Sequence, residues 1–295
     1  MHVNSIIDFH FNHFCMNKKI TIFAILTLSV LLICGSVKAG INQDIAREIS
    51  QNREINVLNL ALLLSKEVRP DIQSDKYRVE IKTMIESLKY EIRKKDDPYH
   101  KIGLINEYLY KTKSFKYDLK DPGAKSTKNQ FITGYLDAKK GSCITMPLLY
   151  YLIGRELNLP VRWVRAPDHF FCRYQVAEKK YINIETTCGG KVAPDSSYIQ
   201  DFKITGDELN KKVYMQSLGD RECAADLLCI TGLYFARKRK YDAALEYLKA
   251  SATLDSANPA TYWFLSLIYK NMGQPKKSAE NLKRAKELGF QEAAR

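Results

Sequence analysis

The chain has 295 residues, 45% of them hydrophobic, with 46 Lys and Arg against 33 Asp and Glu and a formal charge of +13. This composition excludes a disordered or collagen-like chain and leaves room for one or two domains with a real core. The basic excess alone would suggest nucleic acid, but lysine and arginine are spread among acidic neighbours along helical patterns. An anionic envelope surface or acidic peptide partners fit that spread better, and no nucleic-acid partner is expected.

In chain order, residues 1–39 read as a secretory leader. From Met16, "MNKKITIFAILTLSVLLICGSVKAG" sets two lysines before the apolar run Ile20–Cys34 and ends on Val37-Lys38-Ala39. That is the order of a signal peptide cleaved after Ala39, and the run is short for a membrane span. Ile33 is bulky where a lipoprotein signal would want a small residue before Cys34. The predicted mature chain, Gly40–Arg295, is then periplasmic or secreted. The leader takes away Lys18, Lys19, Lys38 and Asp8, two net positive charges. Five cysteines remain, Cys143, Cys172, Cys188, Cys223 and Cys229, an odd number in a compartment that permits disulfides.

Three helical patterns follow. "INVLNLALLLSKEVRP" is apolar on a broad face and stops at Pro70; "KYRVEIKTMIESLKYEIRKK" repeats the pattern through Val79, Ile81, Met84, Ile85, Leu88 and Ile92; "YHKIGLINEYLYKT" is the third. "YDLKDPGAKSTKN" reads as a loop around Asp121-Pro122-Gly123, and a short helix, "FITGYLDAKK", leads to "KKGSCITMPLLYYLIGRELNLP". There Cys143 stands between a Gly-Ser turn and a helix whose first turn tolerates Pro147. After Pro160 the period becomes alternating, and "VRWVRA", "HFFCRYQV" and "KKYINIETT" read as antiparallel strands ended by Gly189-Gly190 and "APDSS". "TGDELNKKVYM" is a capped joining helix. The C-terminal segment repeats at a spacing of 34, matching Phe235 with Tyr269, Leu248 with Leu282, Ser251 with Ala285 and Leu254 with Leu288. It resembles two tetratricopeptide repeats, with Ser266 and Ser256 departing from the usual Gly and Pro. Two such repeats are expected to dock on the preceding domain.

The candidate chemistry is a thiol, an imidazole and a carboxylate. A helix start and an imidazole partner both favour a thiolate, and Cys143 has the first. The mature chain has only His100, in a charged helix start, and His169, at a strand start. His169 is therefore the candidate base. A hairpin centred on Ala177 pairs His169 with Glu185 on one face, with Ile182 and Ile184 facing the core. Glu185 would orient His169, Asn183 is held in reserve, and Asp168 is expected to face the other way. Trp163, Phe170 and Phe171 either wall a cleft or belong to the core. The pattern includes neither a phosphate loop nor a metal-ligand cluster, so no cofactor and no metal are expected.

"GSCITMPLLYYLIGRELNLPVRWVRAPDHFFCRY" with "YINIE" resembles the transglutaminase-like superfamily, in particular the bacterial SirB-type domain often joined to tetratricopeptide repeats. The likeness covers roughly residues 55–195. It implies an α+β fold, a papain/transglutaminase-like core of helices and a small antiparallel sheet followed by an all-α repeat segment. The implied divisions are 1–39 signal peptide, 40–204 transglutaminase-like domain and 205–295 joining helix with repeats. It also implies nucleophile Cys143, general base His169 and orienting acid Glu185, although Glu185 stands where Asp is more usual. Two functions follow as expectations. One is an exported thiol enzyme acting on amide or isopeptide bonds of a peptide or protein, with a protein partner on the repeats. The other is a non-enzymatic adaptor whose cysteine is incidental, and pairing of Cys143 with Cys172 or Cys188 is a third reading.

Overall fold

The computed structural model describes residues 40–50 and 55–290. The predicted leader lies outside the described residues. None of the described helices is long and apolar enough to cross a membrane.

The N-terminal half is a layer of helices: α1 (Gln43–Ser50), α2 (Val57–Val68), α3 (Ser74–Lys94) and α4 (Pro98–Asn106), the last widening into a π-helix over Glu107–Thr112. In α3 the buried stripe is Tyr77, Ile81, Met84, Ile85, Leu88 and Ile92, spaced at three and four residues. Val79, expected on that stripe, is 62% exposed, because it lies two residues from Tyr77 and Ile81 and so on another helical face.

A short strand, β1 (Lys116–Tyr117), runs into the first residue of the segment read as a loop. After α5 (Thr127–Gln130) and α6 (Ile132–Ala138), it pairs in parallel with β2 (Lys140–Gly141). The ladder continues one bond further, Asp118 N–H donating to Gly141 O at 2.8 Å. This brings β1 beside the turn that carries Cys143.

Helix α7 (Thr145–Glu156) is the central element, buried from Thr145 through Gly154. Gly154 admits the sheet: a Cβ there would meet Val161 Cγ2 at 2.5 Å. An antiparallel sheet in the order β3 (Val161–Ala166), β4 (His169–Ala177), β5 (Lys180–Glu185), β6 (Lys191–Ala193) packs on it. Alternation sends Val161, Trp163, Cys172, Tyr174, Ile182 and Ile184 into the main core with α7. Val164, Ala166 and Phe171 go into a smaller cluster on the other face, under Tyr198, Ile204 and Met215. Tyr198 lies on α8 (Asp195–Asp201), which starts inside the "APDSS" stretch read as ending the strand region.

After α9 (Gly206–Asn210), capped reciprocally by Thr205 and Glu208, come α10 (Asp220–Arg237), α11 (Tyr241–Leu254), α12 (Pro259–Asn271) and α13 (Pro275–Glu287). They form two helix pairs, α10 with α11 and α12 with α13, and α10 also packs on α2. The buried core runs without interruption from Ile45 to Tyr269, so the C-terminal helices close it rather than stand apart. All five described cysteines are free. Cys172, one of the partners considered for Cys143, instead donates from Sγ to Pro147 O at 3.2 Å, inside the α7–sheet interface.

Candidate functional site

Cys143 sits in the turn just ahead of the α7 N-cap, Ile144. Ser142 and Thr145 shape that turn: Ser142 Oγ donates to Asn129 O and accepts from Ile144 N–H, while Thr145 Oγ1 accepts from Ser142 N–H. The turn is thereby held by side chains, and none of the hydrogen bonds found among the described residues engages the Cys143 N–H. An amide so placed before a helix is suited to receive a developing oxyanion.

His169 opens β4. Its partner across the β3–β4 hairpin is Ala166, and only Pro167 and Asp168 make the turn between them. Pro167 suits the first corner, and Asp168 takes the left-handed conformation at φ 54° that the second requires. Asp168 thus has no strand face of the kind expected for it; it is a turn residue, and its carbonyl oxygen lies 4.0 Å from Cys143 Sγ. The turn sets the imidazole beside the thiol, near enough for the Cys143 sulfur to favour the charged ring.

His169 Nε2 is 2.8 Å from Glu185 Oε2. The register differs from a turn centred on Ala177. Cys172 pairs with Ile184 and Arg173 with Asn183, with an irregularity between Gln175 and Ala177. That frame sets Glu185 opposite Phe171, two residues along from His169. Parity is preserved, so both side chains share a face, but the contact is diagonal and not direct. A diagonal neighbour lies about 7–8 Å away between strands, within reach of a long side chain. The extra methylene that makes Glu185 unusual is what spans this distance.

Glu185 is anchored on both oxygens. Oε1 accepts from Thr187 N–H at 3.0 Å and from Thr187 Oγ1 at 2.6 Å, in the one-turn 3-10 helix Thr186–Cys188 that Glu185 caps. Oε2 accepts from the Tyr198 hydroxyl at 3.2 Å as well as facing His169. Burial would raise the Glu185 pKa, but His169 and the Thr187 donors outweigh it and hold the carboxyl below its usual 4.5. Burial would likewise lower that of His169; the Glu185 charge and hydrogen bond, together with the nearby Cys143 sulfur, override it and push the imidazole from 6.5 up to about 10. Phe202 stacks on the imidazole at 5.0 Å, and Phe171, two residues along the same strand face, lies at 6.4 Å.

Tyr198, Phe202 and Thr187 escaped the reading of the sequence. Tyr198 and Phe202 are four residues apart and so share one side of a helix turn, a visible signal. Nothing local says that this side covers an imidazole. Asn183, the reserve partner for His169, is committed elsewhere. Its Oδ1 accepts from Arg173 Nε at 2.7 Å and its Nδ2 donates to Asp195 Oδ1 at 2.7 Å. His100 lies apart in α4. Trp163 is core, stacked on Phe170, whereas Phe171 touches both core and site.

Residues 75–212 match the transglutaminase-like superfamily, a stretch that runs from α3 through α9 and contains all three side chains. The UPF0162 proteins of Xylella fastidiosa strains Temecula1 and 9a5c are each 22% identical over 123 residues, covering 41% of this chain and 42% of theirs. The chain therefore spans under half the length of those relatives. A crystal structure of menin that reveals its binding site for Mixed Lineage Leukemia protein is similar at TM-score 0.46 and 11% identity, covering 83% of this chain and 68% of menin. That likeness is too slight to bear on the fold.

Proposed function

We propose that the protein is an exported thiol enzyme of the transglutaminase-like, SirB-type kind, acting on amide or isopeptide bonds of a peptide or protein. The observation that carries this reading is that the Cys143 sulfur lies 4.0 Å from the carbonyl of Asp168, the residue before His169, whose ring meets a Glu185 carboxylate anchored by Tyr198 and Thr187. In the reaction, the Cys143 thiolate adds to the amide carbonyl and the oxyanion forms beside the Cys143 N–H. Collapse breaks the C–N bond, the His169 proton goes to the departing amine, and a thioester remains. Water or a substrate amine, deprotonated by His169, then releases an acid or a new amide. Glu185 holds the ring and stabilises its cation throughout. The four C-terminal helices, read as two tetratricopeptide repeats, serve to hold a protein partner.

A second reading, an adaptor with an inert core, is favoured by one observation: Cys143 is only 3% exposed. An acyl-type activity probe followed by peptide mapping separates the two. The enzyme reading expects the label on Cys143 and its loss, by about a hundredfold or more, in His169→Ala. Absence of probe labelling in the folded wild-type protein, under conditions where iodoacetamide still reaches Cys143, supports the adaptor.

A further inference from the structure

Helix α7 has no capping side chain at its N-cap, Ile144; the hydroxyls beside it hold the turn that carries Cys143 instead. Ser142 Oγ donates to Asn129 O at 2.6 Å and accepts from Ile144 N–H at 3.0 Å. Thr145 Oγ1 accepts from Ser142 N–H at 3.1 Å. The amides on either side of Cys143 are thus each taken by a hydroxyl, and the Cys143 N–H between them is the one left over. Ser142, Thr145 and Asn129 are fully buried, so water does not compete for these bonds.

The turn is anchored from two sides by one neighbouring segment. On one side Asp118 N–H donates to Gly141 O at 2.8 Å. On the other the Asn129 carbonyl receives the Ser142 hydroxyl, and the Asn129 side chain runs back to the first side: Nδ2 donates to Asp118 Oδ2 at 3.1 Å and to Asp121 Oδ2 at 2.7 Å. The bonds therefore close a ring from Gly141 through Asp118 and Asn129 to Ser142. Packing tightens it, since a Cβ on Gly141 would meet Tyr135 Cδ2 at 2.6 Å and Thr145 Oγ1 at 2.7 Å. A buried network satisfied in this way holds one geometry. None of its bonds touches His169 or Glu185, which are held by Thr187 and Tyr198. It orients a peptide and leaves the charge on the sulfur to the imidazole.

We propose that Ser142 and Thr145 are positioning residues for acyl transfer: anchored by Asn129, they hold the Cys143 N–H where the oxyanion forms as the thiolate adds to a carbonyl. This rests on reading Cys143 as the reactive thiol. Addition to a carbonyl needs the donor, and its effect falls steeply when the geometry drifts. Substitution at an alkyl carbon forms no oxyanion and does not need it. Loosening the ring therefore slows acylation and spares alkylation. Both hydroxyls are neutral, so the pH profile of the thiol stays where His169 sets it.

The test uses the full chain in a Cys188→Ser background, since Cys188 is exposed and would label first. Two small reagents are compared by peptide mapping at Cys143. With p-nitrophenyl acetate the thiolate adds to the ester carbonyl, nitrophenolate leaves and a thioester remains; iodoacetamide is attacked at carbon and loses iodide. Ser142→Ala removes two bonds of the ring, and Thr145→Val removes one while keeping the shape of the side chain, which covers the case in which the first variant does not fold. In each, acetylation should slow about tenfold or more, with alkylation within about twofold of wild type and its pH midpoint unmoved. Thr145→Ser, which keeps the acceptor, should recover most of the rate. Acetylation and alkylation slowing together, neither slowing, or Thr145→Ser as slow as Thr145→Val would each overturn the positioning role. The thiol reading survives those results as long as His169→Ala still slows acetylation of Cys143. A wild-type protein alkylated at Cys143 but never acetylated there sinks the thiol reading and the positioning role with it.

Discussion

At the scale of single residues, the site turns on the length of one side chain. Because Glu185 faces Phe171 and reaches back to His169, Glu185→Asp is not a conservative change. It should behave nearly like Glu185→Gln, slowing Cys143 alkylation about tenfold, whereas a direct cross-strand pair would tolerate the shorter acid. The pair also predicts a pH signature. His169 gains protons on folding, so its contribution is full below about pH 6.5, declines above it, and is gone as pH rises through about 10. Glu185 has a lowered pKa, so its contribution is present above 4.5 and is lost as pH falls through the folded value. The urea midpoint difference between wild type and Glu185→Gln should therefore be largest between pH 4.5 and 6.5, near 2 kcal/mol as an order-of-magnitude estimate, and shrink toward pH 10. A difference constant from pH 5 to 9.5 would contradict the ion pair. Period-two alternation made the shared face of His169 and Glu185 legible in the sequence. The true register was not legible: the hairpin turns at Glu178-Lys179, and the irregularity between Gln175 and Ala177 then shifts the pairing by one residue, which is what returns Glu185 to the His169 face.

At the scale of elements, what could be read tracks length. Helices α2, α3 and α7 and strands β3 to β5 are long enough to show a period. Strands β1 and β2 have two residues each and exist only because residues 24 apart in the chain meet, Lys116 with Lys140, a pairing no local pattern announces. Helix α8 was hidden by Pro194 and two serines, yet it completes the site by setting Tyr198 on Glu185 and Phe202 on His169. Its anchor is Asp195, which accepts from Arg173 Nη2 and Asn183 Nδ2 and, through its other oxygen, from the Tyr181 hydroxyl. Arg173 is almost wholly buried, so Asp195→Ala would strand its charge. The expected cost is about 3 kcal/mol, the low end for a broken buried pair because Asp195 is partly exposed. Loosening α8 should also slow Cys143 alkylation, since Glu185 loses its Tyr198 donor. A urea midpoint within about 0.5 kcal/mol of wild type would show that α8 is held by its aromatic rings alone.

At the scale of the whole molecule, the sheet and the C-terminal helices are joined by buried polar groups as well as by apolar packing. Asp226 on α10 accepts from Trp163 Nε1 at 2.8 Å, Arg165 Nε at 2.8 Å and Asn258 Nδ2 at 3.1 Å, while Arg165 Nη1 pairs with Asp255 at 2.8 Å. The same strand bears Ala166, the partner of His169, so the helices brace the hairpin that carries the imidazole. The 34-residue spacing read in the sequence recurs in the helix ends: α10 and α12 end at Arg237 and Asn271, and α11 and α13 begin at Tyr241 and Pro275. The polar junction left no such trace, since Trp163, Arg165, Asp226, Asp255 and Asn258 share no period and meet only through folding. The chain's two tryptophans report on the two sides of this junction, Trp163 in the sheet and Trp263 on α12. With either one replaced by Phe, urea transitions followed by the fluorescence of the other should coincide, because one core spans both. Asp226→Ala leaves Arg165 with one carboxylate, Asp255, and the Glu222 carbonyl, and Trp163 Nε1 without its acceptor, at an expected cost of about 3–5 kcal/mol. If the junction is what makes unfolding a single event, that change should separate the two transitions, the Trp263 side melting first. The double variant Arg165→Met/Asp226→Leu, which removes the charges together and refills the space, should bring them back toward coincidence. Transitions already separate in the wild-type protein would mean that the helices are a detachable unit and that nothing seated on them could be felt at His169.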